Sequence, residues 1–411
     1  MHLFRQPKTP VGRAGAALFA LGAVAATAWA LAPALSAQPY LPQARDFEQR
    51  LPQLERVDSN GLRALAGESE AHDDHPGEGP VTFRSPVIKA PARFDAAGVA
   101  GKLRPLELRG RETGGEWGEW LEVANGDPAW FGGADELQLR ARGWRPRGWL
   151  HYVNVSGDST PAEGALTKVR EAVNGAVVSV ASVFASEVAG ADVPRPEVVS
   201  RAAWGANRNR GGCEPRRKAS YGSVRAAAVH HTVSQNKYSR ADAPGMVLAI
   251  CRYHRNGNGW DDIGYQALVD RFGNIYAGRA GGLGRAVIGA HAEGVNAQTT
   301  GVAVIGTHTK RDPTKSTIRG VSRWLAWKLE RHNRPAEGRA ILRSAGGSTA
   351  RYPKGRRFRV PRIFGHRQTN LTACPGDALF RQTRRKVRRR VARIIERNSG
   401  GDSGTGGARS G

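Results

Sequence analysis

Two histidines and one cysteine in the second half of the chain stand where metal ligands could stand. His230 closes an apolar stretch, Arg225-Ala-Ala-Ala-Val-His-His-Thr. His366 closes another, Ile363-Phe364-Gly365-His366. Cys374 follows eight residues later, inside Thr372-Ala-Cys-Pro-Gly. Two imidazoles and a thiolate leave one position of tetrahedral zinc open, the arrangement of a hydrolytic centre. Spacing alone leaves a plainer alternative standing. A histidine at a strand end is often only hydrogen-bonded, and a single cysteine is often a small core residue.

The elements that must hold these residues are legible from periodicity. The stretch ending in His230 reads as a buried strand. Pro244 to His254 reads as a helix, with Asp242 near its start and the proline early, where its missing N–H does no harm. Tyr265–Asp270 and Asn274–Gly278 read as two strands of a hairpin around Arg271-Phe-Gly. Thr300–Gly306 is a further strand, and Ser316–His332 an amphipathic helix carrying Trp324 and Trp327. Ile363–His366 is a short strand, and Gly376–Arg397 a long basic helix. This layout predicts an α/β domain with one mixed sheet flanked by helices.

The region in front reads differently. Val81-Thr-Phe, Leu106-Glu-Leu, Leu137-Gln-Leu and Trp149–Val153 alternate apolar and polar residues between Gly-rich turns. A small antiparallel β domain of sandwich type is expected over 81–156. Trp117, Trp120, Trp130, Trp144 and Trp149 offer faces for sugars or, equally, material for a core.

Charge divides the chain in the same place. The chain has 411 residues, with 62 basic and 36 acidic side chains and a net charge of +26. Residues 38–195 hold 18 basic and 23 acidic residues, whereas 196–400 hold 40 and 12. A region this basic attracts polyanions. The hydrophobic fraction, 40% with 10 Trp, excludes a wholly disordered chain. Arg5, Lys8 and Arg13 precede an uncharged run from Ala14 to Ala37, which reads as an export signal or a retained anchor. That places the rest of the chain outside the cytoplasm and makes nucleic acid an unexpected physiological partner. The expected organisation is a signal or anchor at 1–37, a polar linker at 38–80, the β-sandwich-like domain at 81–156, a linker at 157–195, the basic domain at 196–398 and a Gly/Ser-rich tail at 399–411.

From Val198 to about Arg393 the chain resembles the peptidoglycan recognition protein and type-2 N-acetylmuramoyl-L-alanine amidase family. The matching segments are Ser200-Arg-Ala-Ala-Trp-Gly-Ala, Val229-His-His-Thr, Tyr253-His254 and Gly259-Trp-Asp-Asp-Ile-Gly-Tyr265. They continue with Val269–Arg279, Gly289-Ala-His291, Thr300–Gly306, Gly365-His366 and Thr372–Gly376. They run in family order. With the β region in front, the chain looks like the actinobacterial type.

The resemblance implies a secreted zinc amidase that cuts between N-acetylmuramic acid and L-alanine in peptidoglycan. Its rival is a non-catalytic peptidoglycan-binding protein with a structural zinc site. The implied ligands are His230, not His231, with His366 and Cys374. Tyr265 is implied to face the open metal position. Thr372 stands where some relatives carry Lys, and its hydroxyl is implied to serve the scissile carbonyl or the attacking water. Substrate contacts are implied at His231, Trp260 and His291. With Cys374 taken by zinc, Cys213 and Cys251 are expected to pair as a disulfide in an exported domain. The Arg-rich stretches Arg351–Arg362 and Arg381–Arg397 are expected to meet anionic wall polymers or a membrane surface by screened charge.

Overall fold

The structure, a computed structural model, describes residues 43–57, 81–100, 106–123, 126–157 and 193–399. The apolar N-terminal run, the linker residues 58–80 and 158–192 and the tail after 399 lie outside those residues. Among the described residues no helix is long and apolar enough to cross a membrane.

The C-terminal part is built on a five-stranded mixed sheet, in the order β11-β10-β12-β9-β15. Its strands are β9 (Ala226–His231), β10 (Ala267–Val269), β11 (Ile275–Ala277), β12 (Thr299–Val304) and β15 (Ile363–Gly365). Only the β10–β11 pair is antiparallel. The pairs β10–β12, β12–β9 and β9–β15 are parallel. Parallel strands need both faces covered, and β9 shows how this is done. Ala227 and Val229 face one apolar cluster with Trp324, Leu325 and Val387. Ala226 and Ala228 face another with Ala340, Leu342 and Phe358. The alanines let both layers approach closely.

Helix α1 (Asp242–Arg252) begins where Ser239 and Asp242 exchange hydrogen bonds between side chain and backbone. It runs on into a single π turn, Tyr253–Gly257. Helix α2 (Lys315–Glu330) is capped by Thr314, whose hydroxyl accepts from Thr317 N–H. The basic C-terminal helix is really α3 (Asp377–Gln382) and α4 (Arg388–Ser399), joined through another π turn.

The N-terminal part is one eight-stranded antiparallel sheet, not the two packed sheets of a sandwich. The strands are β1 (Arg45–Arg50), β2 (Glu55–Arg56), β3 (Val81–Arg84), β4 (Ile88–Val99), β5 (Leu106–Arg111), β6 (Leu121–Val123), β7 (Ala129–Arg142) and β8 (Trp149–Asn154). Long β7 pairs β3, β4 and β5. Register shifts along β4 bend the sheet, which lets one face close over its own core. The expected linker at 38–80 also needs correction, because Arg45–Arg50 and Glu55–Arg56 are strands of this sheet. Phe47 stacks on Tyr152 across the β1–β8 pair, a contact with a residue 105 positions away that local polarity conceals.

The two parts share one apolar core. Ala44, Ala96, Trp130, Val153 and Val155 from the β sheet pack with Met246, Ile250 and Tyr253 from α1 and its π turn. Asp46 receives a bidentate pair from Arg252, both at 2.9 Å. Tyr253 donates to the Val99 carbonyl at 3.1 Å. Gly98 allows this approach, since a Cβ there would stand 2.4 Å from the Tyr253 hydroxyl. All described residues accordingly fall within one unit, Gln43–Gly411.

Cys213 and Cys251 form a disulfide that ties the loop before β9 to α1 across a sequence separation of 38. Closing a loop of that size stabilises the fold by roughly 3–4 kcal/mol through the entropy of the unfolded chain. Thiol titration of the denatured, metal-free protein should find one free cysteine, Cys374. Finding three would remove the bond.

Candidate metal centre

Alternation along β9 separates its two histidines. Ala226, Ala228 and His230 share one face, and Ala227, Val229 and His231 the other. His231 lies by His308, whose backbone N–H donates to its Nδ1 at 3.2 Å. His230 instead meets His366 and Cys374. One ligand atom from each of these three lies within 4.8 Å of the other two, and all three residues are buried. The 3₁₀ turn after β15 carries His366. Cys374 sits in a tight turn before α3, where its N–H donates to the Thr372 hydroxyl at 3.0 Å.

The donors are suited to a metal. His230 Nδ1 is 3.7 Å from the Cys374 sulfur. Among the described residues neither ring nitrogen of His366 meets a hydrogen-bond partner of good geometry, although the ring is buried and the Asn370 side chain is near. Such orphans are rare without a ligand to meet them. Burial pushes His366 down to about 3. Burial, then the neighbouring His366 and His291, hold His230 well below the usual imidazole range. Both rings are therefore neutral, as metal ligands must be. Burial pushes the Cys374 thiol up, while the His231 backbone N–H favours the thiolate. A divalent cation at this point would hold the sulfur ionised. Two imidazoles and one thiolate form a zinc donor set with one position left for water or substrate.

The surroundings orient the ligands. His230 Nε2 lies 3.1 Å from His291 Nδ1, so His291 sits behind a ligand and steers its ring. His291 is itself buried, packed over Gly301, where a Cβ would come within 2.6 Å of its ring. Tyr265 lies on the other side, its ring centroid 5.1 Å from that of His230. The Tyr265 hydroxyl donates to Asp127 at 2.6 Å. Half-buried Trp260 stacks near His254 at 4.6 Å between centroids. Burial, then the Asp127 charge, holds Tyr265 well above the usual phenol range.

The structure thus brings together His230, His366, Cys374, Tyr265, Thr372 and His291. It sets His231 on the other strand face and Trp260 at the edge. Asp127 and His254 are additions that sequence reasoning passed over. Asp127 stands in Asn125-Gly-Asp-Pro, which reads as a solvated turn. A second acid–sulfur group, Cys213, Cys251 and Asp262, offers no thiolate, since its sulfurs are bonded to each other.

Residues 220–377 match the family described as N-acetylmuramoyl-L-alanine amidase. The C-terminal half carries an amidase and peptidoglycan-recognition family domain. It is 31% identical over 216 residues to the N-acetylmuramoyl-L-alanine amidase of Sus scrofa, covering 51% of this chain and 30% of that protein. It is 28% identical over 187 residues to peptidoglycan-recognition protein SC2 of Drosophila simulans, covering 46% of this chain and 84% of that one. Drosophila PGRP-LB superposes with a TM-score of 0.36 at 25% identity, over 46% of this chain and 94% of that structure. The chain thus spans under a third of the pig amidase it matches. The β domain lies wholly outside the matched range.

Purified protein should hold about one zinc per chain. His230→Ala, His366→Ala and Cys374→Ser should each lose it, and His231→Ala should keep it. Zinc loss in His231→Ala, with retention in His230→Ala, would reverse the strand register. Because the imidazoles already lack their extra proton while the Cys374 thiol, raised by burial, still carries its own, loading apo protein at pH 7 should release about one proton per zinc. Calorimetry in buffers of different ionisation enthalpy measures that number.

Proposed function

We propose that the chain is a zinc-dependent N-acetylmuramoyl-L-alanine amidase acting on peptidoglycan outside the cytoplasm. The observation that carries this reading is the buried His230–His366–Cys374 group beside Tyr265, inside a domain that matches the amidase family. A purely structural zinc would be served by four protein ligands, and three with a tyrosine alongside leave room for chemistry. Zinc bound there would supply Lewis acidity and an acidified water.

The chain's own residues do the rest. His291 holds the His230 ring in place. The His231 backbone N–H partly offsets the burial that disfavours the Cys374 thiolate. Thr372 shapes the turn that presents Cys374, and its hydroxyl lies beside the centre for the scissile carbonyl. Tyr265 faces the same side, and Trp260 is the proposed contact for the muramyl peptide, whereas His231, buried on the other strand face, is not. Water adds to the lactyl carbonyl carbon, the C–N bond breaks, and L-alanine leaves as an amine after taking a proton.

The disulfide fits an oxidising compartment, which supports export by the N-terminal basic and apolar segment. An anionic wall partner is supported by the unforeseen hairpin of β13 (Arg339–Arg343) and β14 (Arg357–Pro361). Arg343 and Arg357 stand directly opposite one another there, a pairing that repels unless an anion intervenes. They line a cavity of about 600 Å³ with Arg225 and Lys354, and among the described residues no carboxylate lines it. A phosphate-bearing wall polymer matches this surface. Its binding should weaken steeply with salt and fall in the Arg343→Gln/Arg357→Gln double variant. Salt-insensitive binding equal in both proteins would reject it.

Digestion of purified walls should create free alanine amino groups and no new reducing sugar ends, and a chelator should stop it. A glycosidase would need two carboxyl groups ~5–9.5 Å apart across a sugar. Binding to walls without any product would instead favour the non-catalytic rival.

A further inference from the structure

We infer that the N-terminal β domain completes the reaction site by supplying Asp127, which positions Tyr265; this rests on the amidase reading. Asp127 lies between β6 and β7 and is only 2% exposed. Its Oδ2 accepts from the Tyr265 hydroxyl at 2.6 Å, and its Oδ1 faces His254 Nε2 at 2.9 Å. His254 Nδ1 accepts from the Gly264 N–H at 3.1 Å. That bond leaves the ring's proton on Nε2, so His254 donates to Asp127. Each carboxylate oxygen is met by one donor, and the group cannot turn.

The consequence falls on Tyr265. Its backbone neighbour Gly264 is tied to His254, and its hydroxyl is tied to Asp127, so both ends of the residue are fixed through one carboxylate. With its proton committed to Asp127, the Tyr265 oxygen offers lone pairs toward the metal side. It serves there as a hydrogen-bond acceptor that orients the attacking water, not as a donor to the oxyanion. Asp127 touches no reacting atom and is a positioning residue.

The same carboxylate could instead belong to a lid that blocks the site. The seam around it argues otherwise. The Asn258 side chain donates to the Gly126 carbonyl at 2.7 Å. A Cβ on Gly126 would meet the Asn258 side chain at 2.8 Å and Trp260 at 3.2 Å. Trp130, a few residues on, is 6% exposed in the apolar core shared with α1. Domains joined by a continuous apolar core do not swing apart as loosely docked ones do. Asp127 is a permanent part of the site.

The test is Asp127→Asn in the full chain, assayed on a soluble muropeptide with zinc content measured alongside. We expect kcat per bound zinc to fall by roughly tenfold or more while KM stays within about threefold. In a Tyr265→Phe background the same change should add little. Unchanged kcat per zinc means the contact is only structural, and a rise means it is a lid; either overturns the proposal. A second readout needs no catalysis. In zinc-free protein, denaturant unfolding of Asp127→Asn, Tyr265→Phe and the double variant should be non-additive, and additivity would overturn the contact. Should Asp127→Asn fail to fold, the cycle of His254→Gln with Tyr265→Phe reads the same shared acceptor. A wild-type chain that cleaves no muropeptide sinks the amidase reading, while the zinc-free cycle still decides the positioning contact.

Discussion

A carboxylate shut away from water must be met by donors, and Asp127 is met by two from the opposite domain. Much of the seam follows from that requirement. The end of α1 and its π turn deliver Arg252, Tyr253, His254 and Asn256 in close succession, and each reaches the β sheet or its loops. π turns re-aim side chains by one residue, and they recur where function needs it. Glycines stand where backbone must come close, at Gly98 under Tyr253 and at Gly126 under Trp260. Apolar packing of Trp130, Val153 and Val155 on α1 excludes the water that would otherwise loosen these bonds.

The metal centre obeys a similar rule with the signs reversed. Burial drives imidazole and thiol alike toward their neutral forms, which is right for the histidines and wrong for the sulfur. The sheet supplies the geometry through parallel neighbours β9 and β15, whose C-terminal ends release His230 and His366 side by side. Ligand sites of α/β sheets gather at such carboxyl ends. Cys374 comes from a loop, and its position depends on the Thr372 hydroxyl and on α3 beginning just after it.

How much of this could be read beforehand varies with the distance over which each feature is encoded. The strands ending in His230 and His366 were legible, because apolar runs and their polar ends are local. The choice of His230 over His231 came from family likeness, and strand alternation supplies its physical reason. The hairpin β13–β14 was missed although Arg-Ala-Ile-Leu-Arg and Arg-Phe-Arg-Val-Pro alternate, because the density of arginine suggested a solvated stretch. Its buried residues Ala340, Leu342, Phe358 and Val360 cover the outer face of β9. Strands β1 and β2 were missed for a different reason. Arg45–Arg50 has little apolar content of its own and is a strand because β8, a hundred residues away, pairs with it. Asp127 was invisible for the same reason, since a turn sequence says nothing about what it is pressed against.

Charge accounting explains why the extra carboxylate belongs in this chain. A divalent cation held by one thiolate and two neutral imidazoles leaves one unit of positive charge in the interior. The half of the chain around it already carries 40 basic against 12 acidic residues. Exposed arginines are screened by solvent and salt, so they neither help nor harm the centre much. A buried charge has no such screen, and its compensation must come from inside. Asp127 lies near enough that its charge acts on both Tyr265 and Cys374. One buried carboxylate therefore brings the sum over metal, sulfur and acid to zero. Because that carboxylate comes from the acidic β half, the charge balance of an occupied site would draw on both halves. The two domains are joined by the Asp127 contacts as well as by their common core.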